Sequence, residues 1–529
     1  MAIITFLGFT LLVAGISYYY SRSIEETTSE GYFLGGRSLT AGVIAGSLLL
    51  TNLSTEQIVG LNGQAYSEGI LVMAWETLAA IAMVVTAVFL LPRYLKGGIT
   101  TVPQFLEARY DKTTKAITSG LFLSGYAIVF LPIVLYSGAL AILTMFNIPE
   151  AMGISETAAL WLCVWSIGII GSIYAIFGGL KAVAVSDSIN AVGLLIGGLM
   201  IPVFGLLYIG DGSIGVGIST LMTSAPEKFK VIGDNDSSIP FSTIFTGMML
   251  VQLFYWGTNQ AIIQRALAAK NLEEGQKGLL LASFFKILGP LIVVLPGIIA
   301  YYIFEGNLEN ADQAYPMLVA KVLPGALVGF FAAVLFGAIL SSFNSALNSS
   351  VTLFGLDIYK EYINKEADEK TVVQKGKQFG IILALISMVI APMIADAPKG
   401  LFSYLQEVNG CYSIPILTII VVGYLTKYVP AIAAKIAIIS GVVLYSISQF
   451  IIKPSVIEGG GTYPHFLHVM AILFVLNVII MLIIGKLRPR ETAFELEYTE
   501  QVKIEPYKYL VPVGAAIIAI VTFTYFYFN

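Results

Sequence analysis

Five charged side chains lie well inside apolar stretches that are long enough to cross a membrane. They are Glu56, Glu76, Asp187, Lys286 and Glu407. A charge near the centre of a bilayer costs about 2.5–3.5 kcal/mol on insertion scales, so each of them needs a partner or a function. A carboxylate and an ammonium group that face one cavity suit a ligand rich in hydroxyl groups, such as a sugar. The alternative is a set of ion pairs that only hold helices together.

The composition requires a membrane protein. Charged residues make up 12% of the 529 residues, about half their usual share in soluble domains. Hydrophobic residues make up 57% of the chain, and the mean hydropathy is +0.84. These values exclude a soluble enzyme and a disordered protein. The net charge of −4 gives no indication of nucleic-acid binding.

Apolar stretches of about 20 residues, the length needed to span a bilayer, recur along the chain and predict an all-α protein with fourteen transmembrane helices. The predicted spans are 2–20, 41–62, 70–92, 116–146, 155–177, 182–208, 240–265, 277–303, 323–357, 377–397, 400–426, 430–452, 464–486 and 507–528. With this count, 23 of the 29 Lys and Arg residues lie in one set of alternate loops. The opposite set holds only Lys228, Lys230, Lys321, Lys399 and Lys453. Because basic loops stay in the cytoplasm, both termini are predicted to lie outside.

Two of these spans are interrupted by polar residues. The second contains the polar run 51–57 and the seventh the run 252–260, and neither suits a continuous membrane helix. Five spans separate the two starts, so a repeat of five helices would be inverted in its second copy. Paired interruptions of this kind indicate an inverted-repeat secondary transporter. The predicted repeats cover approximately 41–208 and 240–426 in one transmembrane domain, with the spans 2–20, 430–452, 464–486 and 507–528 flanking them.

Two groups of polar residues fall at shared depths, given a rise of about 1.5 Å per helical residue. The first layer, near mid-membrane, suits a hydroxyl-rich ligand and contains Asn52, Gln57, Glu76, Gln252, Lys286 and Gln406. The second lies nearer the cytoplasm and contains Asp187, the segment 341–345, and backbone carbonyls freed beside the break at Leu50 and Leu53. Such oxygens suit a small monovalent cation. The alternative is that these small Ser and Asn residues only allow close helix packing.

The chain resembles the solute:sodium symporter family and, within it, the bacterial sodium/sugar transporters of the sodium/galactose type. The resemblance covers nearly the whole chain and is carried by the motifs at 31–38, 52–57, 177–182 with 186–187, 255–260, 264–265, 268–271, 276–278 and 341–348. It implies a LeuT-type fold with a five-plus-five inverted repeat and discontinuous helices. It also implies sodium as the coupling ion and a location in the bacterial cytoplasmic membrane.

The resemblance also implies roles for individual residues. Sugar contacts would come from Asn52, Gln57, Glu76, Lys286 and Gln406. Tyr255, with Trp256 beside it, would stack on the sugar as an inner gate, and the outer hydrophobic gate would consist of Leu61, Trp75 and Phe402. Sodium would be bound by the carbonyls of Leu50, Leu53 and Ala338 and the hydroxyls of Ser341 and Ser342, with Asp187 nearby.

Two positions depart from the galactose-type pattern. Gln252 stands where that pattern has Asn, and Ala79 stands where it has Ser. A longer amide and a lost hydroxyl change the shape and the hydrogen bonding of the pocket. We therefore expect the class of substrate to be kept and the preferred sugar to differ.

The sequence thus predicts a sodium-coupled symporter that imports a hexose or a polyol by alternating access. It predicts no enzymatic activity, no organic cofactor, no nucleic-acid partner and no obligate protein partner. Three alternatives remain: a proton-coupled sugar symporter in which Asp187 or Glu76 titrates, a sodium symporter for another solute such as sialic acid, and a sensor or channel. The presence of Glu76 together with Lys286 weakens the second alternative, and the lack of a signalling domain weakens the third.

Overall fold

The computed structural model describes residues 2–21, 28–396 and 400–528. Within these ranges the secondary structure is helical, and the one strand-type pairing is an isolated bridge between Leu39 and Ala269. The expected all-α fold is confirmed. The basic residues Arg22 and Lys399, which the sequence assigns to loops, and position 397 at the end of the tenth predicted span lie outside the described residues.

The helices that build the molecule are numbered here in chain order. They are α1 (Ala2–Ser21), α2 (Ala41–Asn52), α3 (Thr55–Glu68), α4 (Ile70–Lys96), α5 (Val102–Arg109), α6 (Lys112–Met145), α7 (Glu156–Ile176), α8 (Gly179–Ile209), α9 (Ile214–Ser224), α10 (Met249–Gly257), α11 (Gln260–Leu267), α12 (Leu272–Ile287), α13 (Gly289–Ile303), α14 (Ala314–Val322), α15 (Gly325–Ile363), α16 (Glu369–Ile394), α17 (Leu401–Leu425), α18 (Ala431–Glu458), α19 (Phe466–Leu487) and α20 (Leu510–Tyr527). Short helical turns connect several of them.

Ten of the described helices are long and apolar enough to cross a bilayer. An eleventh span results if α12 and α13, which are bent by 49° at their junction, are taken together. The other three predicted spans correspond to α1, to the broken pair α2 and α3, and to the broken pair α10 and α11. The count of fourteen spans and the boundaries of the two repeats therefore stay predictions.

Both predicted interruptions are present. Between α2 and α3 the backbone leaves the helix at Leu53 (φ −78°, ψ 54°) and is extended at Ser54 (φ −87°, ψ −178°). The last backbone bond of α2 runs from the Leu53 N–H to the Leu49 carbonyl at 2.7 Å. The carbonyls that follow Leu49 therefore have no partner within the helix, as at any helix end. Between α10 and α11 the break falls at Thr258 (φ −135°).

Glycine allows the helices around these breaks to approach closely. A Cβ atom at Gly46 of α2 would lie 2.8 Å from the Cα of Ser188 in α8, and one at Gly278 of α12 would lie 2.7 Å from Ile44. The close contacts place α8 and α12 against α2. The first half of the broken span is thereby fixed between two helices that carry buried charges, Asp187 on α8 and Lys286 on α12.

An extended segment, residues 488–509, connects α19 to α20 across the ends of other helices. Its backbone hydrogen bonds join Arg490 to Tyr428, Phe494 to Lys427, Thr499 to Lys96 and Lys503 to Leu272. The N···O distances are 2.9–3.1 Å. The segment therefore fastens the ends of α4 and α17 and the start of α12 to one another, on the face where the sequence concentrates its basic residues.

Candidate functional site

A small polar cavity lies at the level of the two helix breaks. Its volume is about 20 Å³. It is lined by Asn52, Gln57, Trp75, Ala79, Val251, Gln252, Tyr255, Lys286, Phe402 and Gln406. Five of the six predicted substrate-binding residues thus line one cavity, and so does Ala79, one of the two departures from the galactose-type pattern. Pockets for small organic ligands usually measure roughly 300–1,000 Å³, so this conformation is closed around its polar groups.

The sixth predicted residue, Glu76, lies in the wall of this cavity and joins two of the others. Lys286 Nζ donates to Glu76 Oε2 at 2.6 Å, and Gln57 Nε2 donates to Glu76 Oε1 at 2.6 Å. Glu76 and Lys286 are both fully buried. Each carboxylate oxygen has its own donor, and the ion pair compensates both charges, as burial requires. The carboxylate oxygens, the ammonium group and the Gln57 amide each keep further hydrogen-bonding capacity for a ligand hydroxyl.

Gln252 forms hydrogen bonds to two tryptophan residues on one side of the cavity. Its Nε2 donates to the Trp75 carbonyl at 2.7 Å, and its Oε1 accepts from the Trp256 indole N–H at 3.1 Å. Trp256 does not line the cavity, but its ring lies 5.7 Å from Lys286 Nζ and 5.2 Å from the Tyr255 ring. The ring therefore supports the ammonium group through its negative face while Tyr255 faces the cavity.

Phe402 separates the cavity from a larger vestibule of about 490 Å³. It lines both spaces, and its ring packs edge to face against Trp75 with centroids 5.2 Å apart. Gly60 of α3 lies so close to Phe402 that a Cβ there would be 2.7 Å from the Phe402 Cβ. Leu61, the third predicted member of the outer gate, is fully buried beside Gly60 and lines neither space.

The predicted cation site centres on a residue that sequence reasoning did not single out, Thr51. Its hydroxyl lies 3.2 Å from Ser341 Oγ and 3.2 Å from Ser345 Oγ, and Ser342 Oγ donates to the Thr51 carbonyl at 2.7 Å. Leu50 and Leu53 flank Thr51 at the end of α2, and Ala338 lies one turn before Ser341 and Ser342 on α15. The structure thus brings these elements together.

Asp187 is joined to this cluster through Ser47 and Arg265. Ser47 Oγ donates to Asp187 Oδ2 at 2.6 Å and accepts from Arg265 Nε at 2.9 Å. The Arg265 guanidinium is fully buried, lies 4.0 Å from Asp187, and also donates to Ser345 and to the Ala261 carbonyl. The sequence count assigned Arg265 to a loop, and this assignment is wrong. Arg265 lies within α11 (Gln260–Leu267), next to Gln264. Its place among the apolar residues of this segment is the sequence signal that could have indicated burial.

Two of the five charges inside predicted spans lie outside both clusters. Glu407 forms an ion pair with Lys453 at 2.5 Å, and both side chains are partly exposed. Its role is therefore a contact between α17 and α18, as the structural alternative stated. Glu56 is buried at the start of α3 and does not line the cavity, and its Oε2 has no hydrogen-bond partner among the described residues.

The chain is similar in sequence to known membrane transporters. The sequence model of the sodium:solute symporter family matches residues 32–441. The uncharacterized symporter YidK of Escherichia coli (strain K12) is 49% identical over 508 residues, covering 96% of this chain and 87% of that protein. The sodium/glucose cotransporter of Vibrio parahaemolyticus is 34% identical over 465 residues, covering 83% of each.

The structure of a Na⁺-coupled sialic acid symporter, solved in a substrate-bound outward-open state, is similar with a TM-score of 0.76 at 20% identity. The similarity covers 93% of this chain and 99% of that one. It shows that the two share the LeuT-type fold that the resemblance implied. A family match over residues 32–441, together with relatives that align over most of the chain, establishes that this protein belongs to the sodium:solute symporter family.

Proposed function

We propose that this symporter imports a neutral monosaccharide or a polyol together with Na⁺. The observation that carries the proposal is the Glu76 carboxylate, held between Gln57 and Lys286 in the wall of a cavity that also presents Asn52 and Gln406. These groups supply both donors and acceptors at short range. A polyhydroxylated ligand needs this alternation, since each hydroxyl both donates and accepts.

The acidic group also discriminates among solutes. A ligand that carries a carboxylate, such as sialic acid, would bring a second negative charge beside Glu76, whose own charge Lys286 already compensates. A neutral sugar meets no such repulsion. The name of the Vibrio relative, a sodium/glucose cotransporter, supports a sugar, whereas the sialic acid symporter shares the fold at only 20% identity.

In the transport cycle that we propose, Na⁺ binds among the oxygens around Thr51 and fixes the end of α2. Asn52 and Gln57, on either side of the break, then face the cavity together. Phe402 and Trp75 move toward the vestibule to admit the sugar, because a space of about 20 Å³ holds little more than one water molecule. After the outer gate closes, loss of Na⁺ to the cytoplasm releases α2, and movement of Tyr255 lets the sugar leave.

Uptake into proteoliposomes tests the coupling. With the purified protein, an inward Na⁺ gradient should drive sugar accumulation, and replacement of Na⁺ by K⁺ or choline should abolish it. Uptake that follows a pH gradient in the absence of Na⁺ would instead favour the proton-coupled alternative.

A thermal-shift screen of hexoses, polyols and sialic acid, with and without Na⁺, identifies the substrate, since a ligand stabilises the folded state in proportion to its occupancy. Gln57→Ala should remove the shift produced by the best sugar. Gln378→Ala, which changes an exposed glutamine on α16, serves as the matched control. Equal shifts for wild type and Gln57→Ala would remove Gln57 from the sugar site.

A further inference from the structure

A separate polar cavity of about 300 Å³ lies where α4 and α17 end, and it shares no lining residue with the central cavity. Three cationic side chains, Arg93, Lys96 and Lys427, line it, together with Tyr424, Phe494 and Glu495. Arg93 and Lys96 occupy the last turn of α4, just beyond the end of the predicted span 70–92. The cavity is therefore a basic recess at the edge of the bilayer.

The segment 488–509 forms one wall of this recess and is pinned on both sides of it. The Phe494 N–H donates to the Lys427 carbonyl at 3.0 Å, and the Thr499 N–H donates to the Lys96 carbonyl at 3.1 Å. The pinning uses backbone groups and leaves both lysine side chains free to face the cavity. The backbone hydrogen bonds that hold this wall consequently do not involve those two ammonium groups.

The charges of the recess are poorly compensated. Among the described residues, no carboxylate lies within 4.0 Å of Arg93 or Lys96. Lys427 lies 3.8 Å from Glu495, but both side chains are largely exposed, so the pair contributes little. Three cations and one anion give the lining a net charge of +2. This excess of positive charge lines a single cavity. It is not distributed along an exposed loop.

The Arg93 side chain is also oriented for recognition. Its guanidinium carbon lies 3.4 Å from the centre of the Tyr424 ring, so the flat face of the group is covered and its N–H edge stays available. A stacked guanidinium presents paired donors that match two oxygens of a phosphate, and a lysine ammonium adds a mobile point charge. Basic pockets between helices at the membrane surface are typical sites for lipid phosphates.

We propose that this recess binds a phosphate group, carried either by an anionic phospholipid headgroup or by a small soluble phosphate. The bound anion would neutralise the excess charge and connect α4, α17 and the segment 488–509 at one point. The ordinary preference for Lys and Arg on the cytoplasmic side accounts for the number of cations but not for their convergence on a cavity.

The test uses the full-length protein in detergent and in nanodiscs. Thermal unfolding is followed while phosphatidylglycerol, phosphatidylcholine or inorganic phosphate is titrated in. Wild type should be stabilised by phosphatidylglycerol or inorganic phosphate more than by phosphatidylcholine. The double variant K96Q/K427Q should lose affinity for that ligand by about tenfold or more, since each cation near an anionic surface contributes on the order of a factor of five.

The matched control is K365Q/K370Q, which removes two exposed lysines and the same net charge elsewhere. This control should bind like wild type, and K96R/K427R, which keeps both charges, should as well. A response to phosphatidylglycerol alone assigns a lipid, and a response to inorganic phosphate assigns a soluble anion. Equal affinities in wild type, K96Q/K427Q and K365Q/K370Q would overturn the proposal.

Discussion

The two buried charge clusters of this symporter differ in how tightly their charges are paired. Glu76 and Lys286 are in direct contact at 2.6 Å, whereas Asp187 and Arg265 lie 4.0 Å apart with the Ser47 hydroxyl between them. All four side chains are almost completely removed from solvent. The charged groups of the first pair are directly hydrogen-bonded, whereas those of the second are an ion pair at longer range that is bridged by the Ser47 hydroxyl.

This difference matches what each cluster is proposed to bind. A closed ion pair presents a sugar with fixed donors and acceptors without leaving a net charge in the membrane. A loose pair surrounded by hydroxyl and carbonyl oxygens keeps part of the Asp187 charge available to a cation. Tight pairing therefore favours recognition of a neutral ligand, and loose pairing favours an ion.

The largest effect should come from breaking the tight pair. Lys286→Ala leaves Glu76 buried without its counter-charge and should lower the free energy of unfolding by about 3–5 kcal/mol, with loss of sugar uptake. Denaturant unfolding and proteoliposome uptake measure both quantities. Lys270→Ala, at an exposed position, is the control.

The same pair can be removed as a whole. Glu76→Gln combined with Lys286→Met leaves no buried charge at this site, so more than half of the lost stability should return while uptake stays absent. Uptake at wild-type affinity in this double variant would show that the pair is structural and does not contact the sugar.

Loss of a hydroxyl group from the loose cluster should change only the dependence of uptake on the Na⁺ concentration. Ser341→Ala removes one of the oxygens near Thr51 and should raise the Na⁺ concentration for half-maximal uptake about tenfold, equivalent to ~1.4 kcal/mol. Ser350→Ala is the matched control because the partner of its hydroxyl among the described residues is the Ala346 carbonyl of its own helix. An unchanged sodium dependence in Ser341→Ala would contradict the assignment of this site.

The bridge between Asp187 and Arg265 should affect folding stability. Ser47→Ala removes a hydroxyl bonded to two charged groups and should lower the free energy of unfolding by about 1.5–3 kcal/mol. Ser283→Ala removes an equally buried hydroxyl whose partner among the described residues is the Ala80 carbonyl, and should cost about half as much. Denaturant unfolding of the two variants gives the comparison. Equal losses of unfolding free energy would show that the charges of Asp187 and Arg265 do not strengthen the hydrogen bonds of Ser47.

The smallest effect concerns selectivity in the central cavity. Ala79→Ser and Gln252→Asn restore the galactose-type residues and should change the order of affinities among hexoses and polyols by no more than about tenfold, because both preserve the Glu76 network. A thermal-shift series over the same sugars measures the change. An unaltered order in the double variant would mean that selectivity is set elsewhere.

The sequence predicted the features of the site that come from polarity in an apolar context. The runs 51–57 and 252–260 interrupt long hydrophobic stretches, and the breaks near Ser54 and Thr258 follow from them. Glu76 and Lys286 were found for the same reason, since a mid-membrane charge has to be compensated. That they pair with each other is a matter of helix packing, which spacing along the chain does not encode.

Other residues could be found only in three dimensions. Arg265 lies close to the end of an apolar run and reads as a loop cation, yet packing of α11 buries it beside Asp187. Glu407 reads as a buried charge, yet Lys453 from the next helix reaches it. Thr51 is one hydroxyl among several in its segment, and only the approach of α15 makes it the centre of a cluster.

The break at Leu53 and Ser54 has a thermodynamic consequence. Thr51 faces the hydroxyl cluster of α15, and the adjacent Asn52 lines the central cavity. These two consecutive residues precede the same break, the non-helical joint between α2 and α3, so the joint is connected to both regions. A ligand that fixes the joint from one side changes the free energy of binding on the other. This linkage is reciprocal. If Na⁺ raises the affinity for the sugar by some factor, the sugar must raise the affinity for Na⁺ by the same factor. Titration of each ligand with and without the other measures the coupling free energy that this joint transmits.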